Sequence, residues 1–291
     1  MTDKTTKVAL QQTSLDLNTS LDNIMTNDPM ILRIGIAGPR ALNEHELSTG
    51  LLLLSKVLAT IAIELTSLVI NRLVTTQHAH LEQFKLPTLI LTSSLAIGAD
   101  RLAMASELRA CLKDKATLEY AAVLPFLLHD CEQGMYEETR SAAENRQDWL
   151  VLNKLVQEIK DQQEPRLTEL AGDITSADTR DIAHFHCTQT LVANIDVLIV
   201  FTKESASQVP VHHLAGTNTT LRLALEYARP AIQIVLDAKE AQIQIHPCTD
   251  RGLNISSENF SSASVGRLLT GLRVLADGVQ LKRTKLPPER E

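Results

Sequence analysis

The stretch Ala215-Gly216-Thr217-Asn218-Thr219-Thr220 has the residue types that hold an anion: small residues, hydroxyl donors, and a helical segment starting at its end. First-turn N–H groups of a helix lack backbone partners and carry partial positive charge, which suits a phosphate. The same residues also suit a plain helix cap, so both roles stand on residue type alone. Gly38-Pro39-Arg40 is a second such stretch. Its glycine permits unusual backbone angles, its proline fixes the direction of the next residue, and the forked guanidinium of Arg40 matches a phosphate. In Ile97-Gly98-Ala99-Asp100-Arg101, the Asp100 carboxylate suits a ribose hydroxyl. It equally suits a first-turn acid on a helix dipole, tied to Arg101 or Arg40. Tyr136 either stacks on a base or packs within its own loop.

Other chemistries lack their residues. His184, His186 and Cys187, and the pair His212-His213, superficially suggest metal ligands. Side chains two apart on a helix do not face one way, and no third and fourth ligand stands at a recognised spacing, so no metal is expected. Ser93-Ser94 are not in a G-x-S-x-G elbow. Neither G-x-x-x-x-G-K-[ST] nor a G-x-G-x-x-G after the first strand is present, which speaks against ATP hydrolysis and nicotinamide redox chemistry. No cofactor is expected.

These stretches need elements that hold them. ILRIGIAG (31–38), LPTLILTSS (86–94), LEYAAVLPF (118–126), VLIVFT and AIQIVLD are apolar runs of strand length, with QIQIHP (242–247) a further strand beyond them. Helical patterns lie between the first five. Strand–helix alternation predicts an α/β, Rossmann-like, doubly wound, mostly parallel sheet with helices on both faces. With the first strand central, the second and third lie on one side of it and the fourth and fifth on the other. Ligands of such sheets sit in the crevice where strand order reverses. Gly38-Pro39-Arg40 and Gly216-Thr217 would face each other there.

Residues 1–29 read as a flexible arm, 30–280 as one domain with a helical insertion at about 129–185, and 281–291 as a basic tail. Within the insertion, Trp149, Leu150, Leu152, Leu155, Val156 and Ile159 share one helical face, and 162–179 reads as a loop. The net charge of −7 opposes broad contact with nucleic-acid backbone. Four scattered cysteines and an N-terminus without a signal-like apolar run predict a reduced, cytoplasmic protein.

Residues 51–70 are apolar enough to suggest a membrane span, but Lys56 and Glu64 lie inside, so a buried helix is the better reading. Its main stripe is Leu47, Leu51, Leu54, Leu58, Ile61, Leu65 and Leu68, and Asn43 with Glu46 forms a capping-box pattern at its start. Leu52, Leu53, Val57, Ile63 and Ile70 widen the apolar arc beyond what one sheet face covers. The segment 264–279 or a second copy is needed to cover them, and a homodimer or higher even oligomer with Leu53 and Val57 near the contact is expected.

The motifs IGIAGPRAL, SSLAIGADRLAMAS, AAVLPF with Tyr136 downstream, ANIDVLIVF and AGTNTTLRLALEYARPAIQI, in that order, resemble the SLOG superfamily. Its members are Rossmann-like nucleotide-binding domains related to the lonely-guy phosphoribohydrolases and to DNA-processing protein A. The resemblance covers about residues 31–237. It implies a nucleotide or nucleotide derivative as ligand, with contacts at Gly38, Pro39, Arg40, Gly98, Ala99, Asp100, Pro125, Tyr136, Gly216, Thr217, Asn218 and Thr219. The lonely-guy enzymes carry P-G-G-x-G-T-x-x-E. In register with Gly216-Thr217, this chain has His212-His213-Leu214 for Pro-Gly-Gly and Thr220 for the catalytic Glu. Glu226 is about 9 Å further along the helix and cannot substitute. Ligand binding by a sensor or regulatory protein is therefore expected ahead of catalysis. The alternative is an N-glycosidic hydrolase or transferase using Asp100, Glu137 or Glu138.

Overall fold

A computed structural model describes residues 30–75, 85–135, 140–203, 216–236, 241–246 and 253–256. The expectations for the N-terminal arm, Tyr136, Glu137, Glu138, His212, His213, the segment 264–279 and the basic tail fall outside them.

Strand β1 (Ile31–Ala37) is followed by helix α1 (Glu44–Thr75), β2 (Thr88–Ser93), a 3₁₀ helix (Ala99–Met104), α2 (Ser106–Leu112) and β3 (Thr117–Leu124). Then come α3 (Cys131–Gly134), α4 (Ala142–Lys160), β4 (Arg166–Glu169), α5 (Ala177–Ala193), β5 (Val197–Lys203), α6 (Thr217–Glu226), β6 (Ala231–Leu236), β7 (Gln242–His246) and β8 (Leu253–Ser256). The sheet order is β4-β3-β2-β1-β5-β6-β7-β8. The first six are parallel neighbours, and β7 and β8 add antiparallel pairs at one end. This is the expected doubly wound α/β sheet, with β1 central and the order reversing between β1 and β5.

Alternation along the strands sends side chains to two layers. Ile34, Ile36, Leu89, Leu91, Val197, Ile199, Phe201, Ile232 and Ile234 join the core under α1, α2 and α4. Leu198, Val200, Val123 and Ala231 join a smaller cluster with Leu191 and Val192 of α5 and Leu223 and Ala224 of α6. Helices thus cover both faces.

Helix α1 starts as its sequence dictates. Asn43 Oδ1 accepts from Glu46 N–H at 2.8 Å, and Glu46 accepts from Asn43 N–H at 2.8 Å. Over Glu44–Leu68 it is long and apolar enough to cross a membrane. Leu54, Val57, Leu58 and Ile61 are nonetheless fully buried in the chain's own core. The expected placement of Leu53 and Val57 at a subunit contact is therefore wrong: Leu53 is 7% exposed and Val57 not at all. The reason is that α1 is covered on a second side by α2, whose Cys111 thiol reaches the Ser55 carbonyl at 4.0 Å. Among the described side chains of α1, the large apolar ones left exposed are Leu52, Ile63 and Ile70.

Three other readings need correction. The loop expected over 162–179 contains β4, paired parallel with β3. Its sequence RLTE has no apolar alternation because it is a short edge strand held by backbone pairing. The helix expected directly after Asp100 is instead a 3₁₀ helix followed by α2, divided at Ala105, which is extended. Leu150 is exposed, off the α4 face that buries Leu152, Val156 and Ile159.

Candidate functional site

The carboxyl ends of β1 and β2 open into a crevice of about 640 Å³. Gly38, Pro39 and Arg40 line it from the loop after β1, Asp100 from the loop after β2, and Gly216 and Thr217 from the start of α6. Three stretches distant in sequence are thus brought to one place, at the reversal of strand order. Not every expected contact follows. Gly98 and Ala99 stand behind the wall, Asn218 and Thr219 are on other sides of α6, and Pro125 lines a separate pocket beside α5.

The floor is built by close approach of two loops. Gly98 has φ 92°, and a Cβ there would sit 2.4 Å from the Pro39 carbonyl oxygen and 2.5 Å from that of Arg40. Ala99 N–H donates to the Pro39 carbonyl at 3.2 Å. A Cβ on Gly38 would meet that of Ala99 at 2.5 Å. The two loops touch because both carry glycine at the crossing.

Asp100 locks them together. Its Oδ1 accepts from Gly38 N–H at 3.0 Å, and its Oδ2 accepts from the Ser94 hydroxyl. Ser93 Oγ donates to the Asp100 carbonyl at 2.9 Å. Arg101 does not pair with Asp100; it turns to Asp148 at 3.1 Å. Burial raises the Asp100 pKa to about 6, against the opposing pull of its two hydrogen bonds and of the Arg40 and Arg101 charges.

The sequence reading missed the crevice's second wall, made by α5. A capping box of Ser176 and Thr179 fixes its start. Ala177, Arg180, Asp181, His184, Thr188 and Leu191 then step by three and four toward the crevice. That spacing is in the sequence, but its mixture of charged and small residues resembles neither a core stripe nor a solvated face. His184 lies edge-on to Phe126, with ring centroids 5.4 Å apart, and its Nε2 is 3.5 Å from Arg40 Nη2. His186 faces the pocket on the other flank of α5, so the two histidines diverge. Burial first, then the Arg40 and Arg180 charges, lower the His184 pKa to about 4. Cys187, pushed well up by burial, is an uncharged thiol donating to the Val123 carbonyl at 3.1 Å. Thr220, at the position of the missing Glu, turns its hydroxyl back to the Gly216 carbonyl at 3.2 Å.

The two shifted groups oppose each other as pH changes. Asp100 binds its proton more tightly folded (about 6) than at its ordinary 3.8, so its contribution to stability falls as pH rises through 6. His184 binds its proton less tightly folded (about 4) than at 6.5, so its contribution is lost as pH falls from 6.5 through 4. Between pH 4 and 6 the two offset. Asp100→Asn is therefore expected to lose stability on acidification more steeply than the wild type, and His184→Gln less steeply. Urea midpoints at pH 4.5, 5.5 and 6.5 check both slopes.

Set against family models, curated proteins and solved structures, the chain matches none.

Proposed function

We propose that this crevice binds a nucleotide or nucleotide-derived ligand, and that the protein is a cytoplasmic sensor or regulator of the SLOG type. The observation that carries the reading is the meeting of Gly38-Pro39-Arg40, Asp100 and Gly216-Thr217 around one crevice at the strand-order reversal. The crevice has the size of a small-molecule site. Asp100 and Ser94 provide a polar floor suited to sugar hydroxyls, and Arg40 and Arg180 provide cations suited to an acidic group. Thermal-shift measurement against nucleoside monophosphates, cyclic nucleotides and ADP-ribose tests it. Stabilisation by at least one compound in a dose-dependent manner is expected. No shift across the panel at millimolar concentrations would overturn the reading.

One observation favours the N-glycosidic alternative. A carboxyl group with a pKa near 6 inside a crevice is poised for general acid–base work. Release of free base from nucleoside monophosphates, absent in Asp100→Asn, would establish it. Against it, both Asp100 oxygens are already engaged by Gly38 and Ser94.

We also propose that the protein self-associates through the outer side of α1. Leu52, at 70% exposure, and Ile63, at 47%, lie on the outer side of α1. A homodimer through this side is expected to sediment as such at micromolar concentration, and Ile63→Glu to sediment as a monomer. A monomeric wild type would end this proposal.

A further inference from the structure

We infer that the acidic group of the ligand is held on the α5 wall, by Arg180, Arg40 and His184, and not by the first turn of α6. This rests on the nucleotide reading and locates its phosphate. The first observation is convergence: all three side chains line the same crevice, from α5 and from the loop after β1. His184 Nε2 stands 3.5 Å from Arg40 Nη2, and the charges of both Arg40 and Arg180 are felt at its ring.

The second observation is that Arg180 is electrostatically misplaced. It sits at the end of the first turn of α5, where the helix dipole is positive and a cation is disfavoured. Among the described residues, its guanidinium has no hydrogen-bond or ion-pair partner. Asp178 and Asp181 flank it in sequence, but residues one and two apart on a helix do not face each other. Arg180 thus brings to a helix start a guanidinium that lacks a partner among the described residues, beside Arg40 and the His184 imidazole. An oxyanion would supply that partner and accept from all three side chains.

The groups that oppose this are Asp181, which lines the crevice, and Asp100 on its floor. Asp100 already accepts two hydrogen bonds, from Gly38 and Ser94, and is almost wholly buried. The start of α6 is the weaker anion site by comparison. Gly216 and Thr217 line the crevice, but no cationic side chain among the described residues accompanies them there from α6 itself.

Phosphate groups come from two sources, free phosphate or a phosphorylated nucleoside, and the test separates them. Pyrophosphate is titrated into the full-length protein while the His184 ring is followed by NMR. A saturable shift of the His184 signals is expected, with its pKa raised, and Arg180→Met should weaken the apparent affinity at least tenfold. Adenosine 5′-monophosphate and adenosine are then compared by calorimetry. The phosphate's advantage should shrink at least tenfold in Arg180→Met and less than about twofold in Thr217→Val. If Arg180→Met leaves the ratio of the two nucleosides unchanged, or if pyrophosphate binds without moving His184, the assignment is overturned while nucleotide binding stands. If pyrophosphate does not bind at all, the subsite is overturned, and the thermal-shift panel decides nucleotide binding separately. Arg180 is partly exposed and outside the core, so the variant folds; unchanged far-ultraviolet dichroism verifies it.

Discussion

Gly98→Ala is expected to be among the most damaging single-methyl changes in this chain. The backbone at Gly98 has φ 92° and ψ −133°, a conformation that side chains rarely adopt. The added Cβ would also stand within 2.5 Å of two carbonyl oxygens, those of Pro39 and Arg40. Those are backbone atoms of the facing loop, so relief requires the loop after β1 to move. A loss of about 2–4 kcal/mol in unfolding free energy follows from strain plus displacement. Displacement of Arg40 should also abolish ligand-induced stabilisation. Gly216→Ala is the matched comparison. Its φ of 136° carries strain, but nothing lies within 4 Å of the added Cβ, so the loss should be about 1–2 kcal/mol. Urea unfolding of the two variants side by side is the measurement. Equal losses would mean that the contact between the loops adds nothing.

The second large effect is expected at Asp100. Alanine there leaves the Gly38 N–H and the Ser94 hydroxyl without their acceptor in a half-buried place, at about 1 kcal/mol or somewhat more each. Part of that is offset above pH 6, because the variant no longer buries a carboxylate. A net loss of about 1–3 kcal/mol at pH 7 is expected, together with at least a tenfold loss of ligand affinity. Asparagine keeps an oxygen for Gly38 and should retain most of the stability. If alanine and asparagine are equally stable, the bond to Gly38 is not what holds the loops together.

The two changes mark what the sequence made legible. Central strands are, because ILRIGIA and VLIVFT are short, apolar and rich in β-branched residues, as strands buried between two helix layers are. The capping box at Asn43 is also legible, since a local hydrogen bond needs only local residues. The edge strand β4 is not, because backbone pairing with β3 needs no apolar pattern. Nor is the burial of Leu53 and Val57. Helical periodicity shows that an arc is wide, not which neighbour covers it. The α5 wall was missed for a related reason. Arg180 and His184 become meaningful only beside Arg40, which lies 144 residues before His184. A motif carried over whole also does not sort faces: on α6 Thr217 and Thr220, three apart, line the crevice while Asn218 and Thr219 between them do not, and Pro125 lines the pocket beside α5.

The central position of β1 also sets a timetable for synthesis. Its first neighbour, β2, is made soon after it, but its other neighbour, β5, is not: Arg33 meets Asp196 across 163 residues. At roughly 5–20 residues per second, the ribosome leaves that side of β1 unpaired for on the order of ten seconds. During this interval the nascent chain presents a bare apolar strand edge of the kind that joins with strangers. α1, already complete, can shield one face of β1 but not its hydrogen-bonding edge. The strand that carries the ligand loop is thus the one most exposed while the protein is being born, and its protection then falls to whatever waits at the exit tunnel.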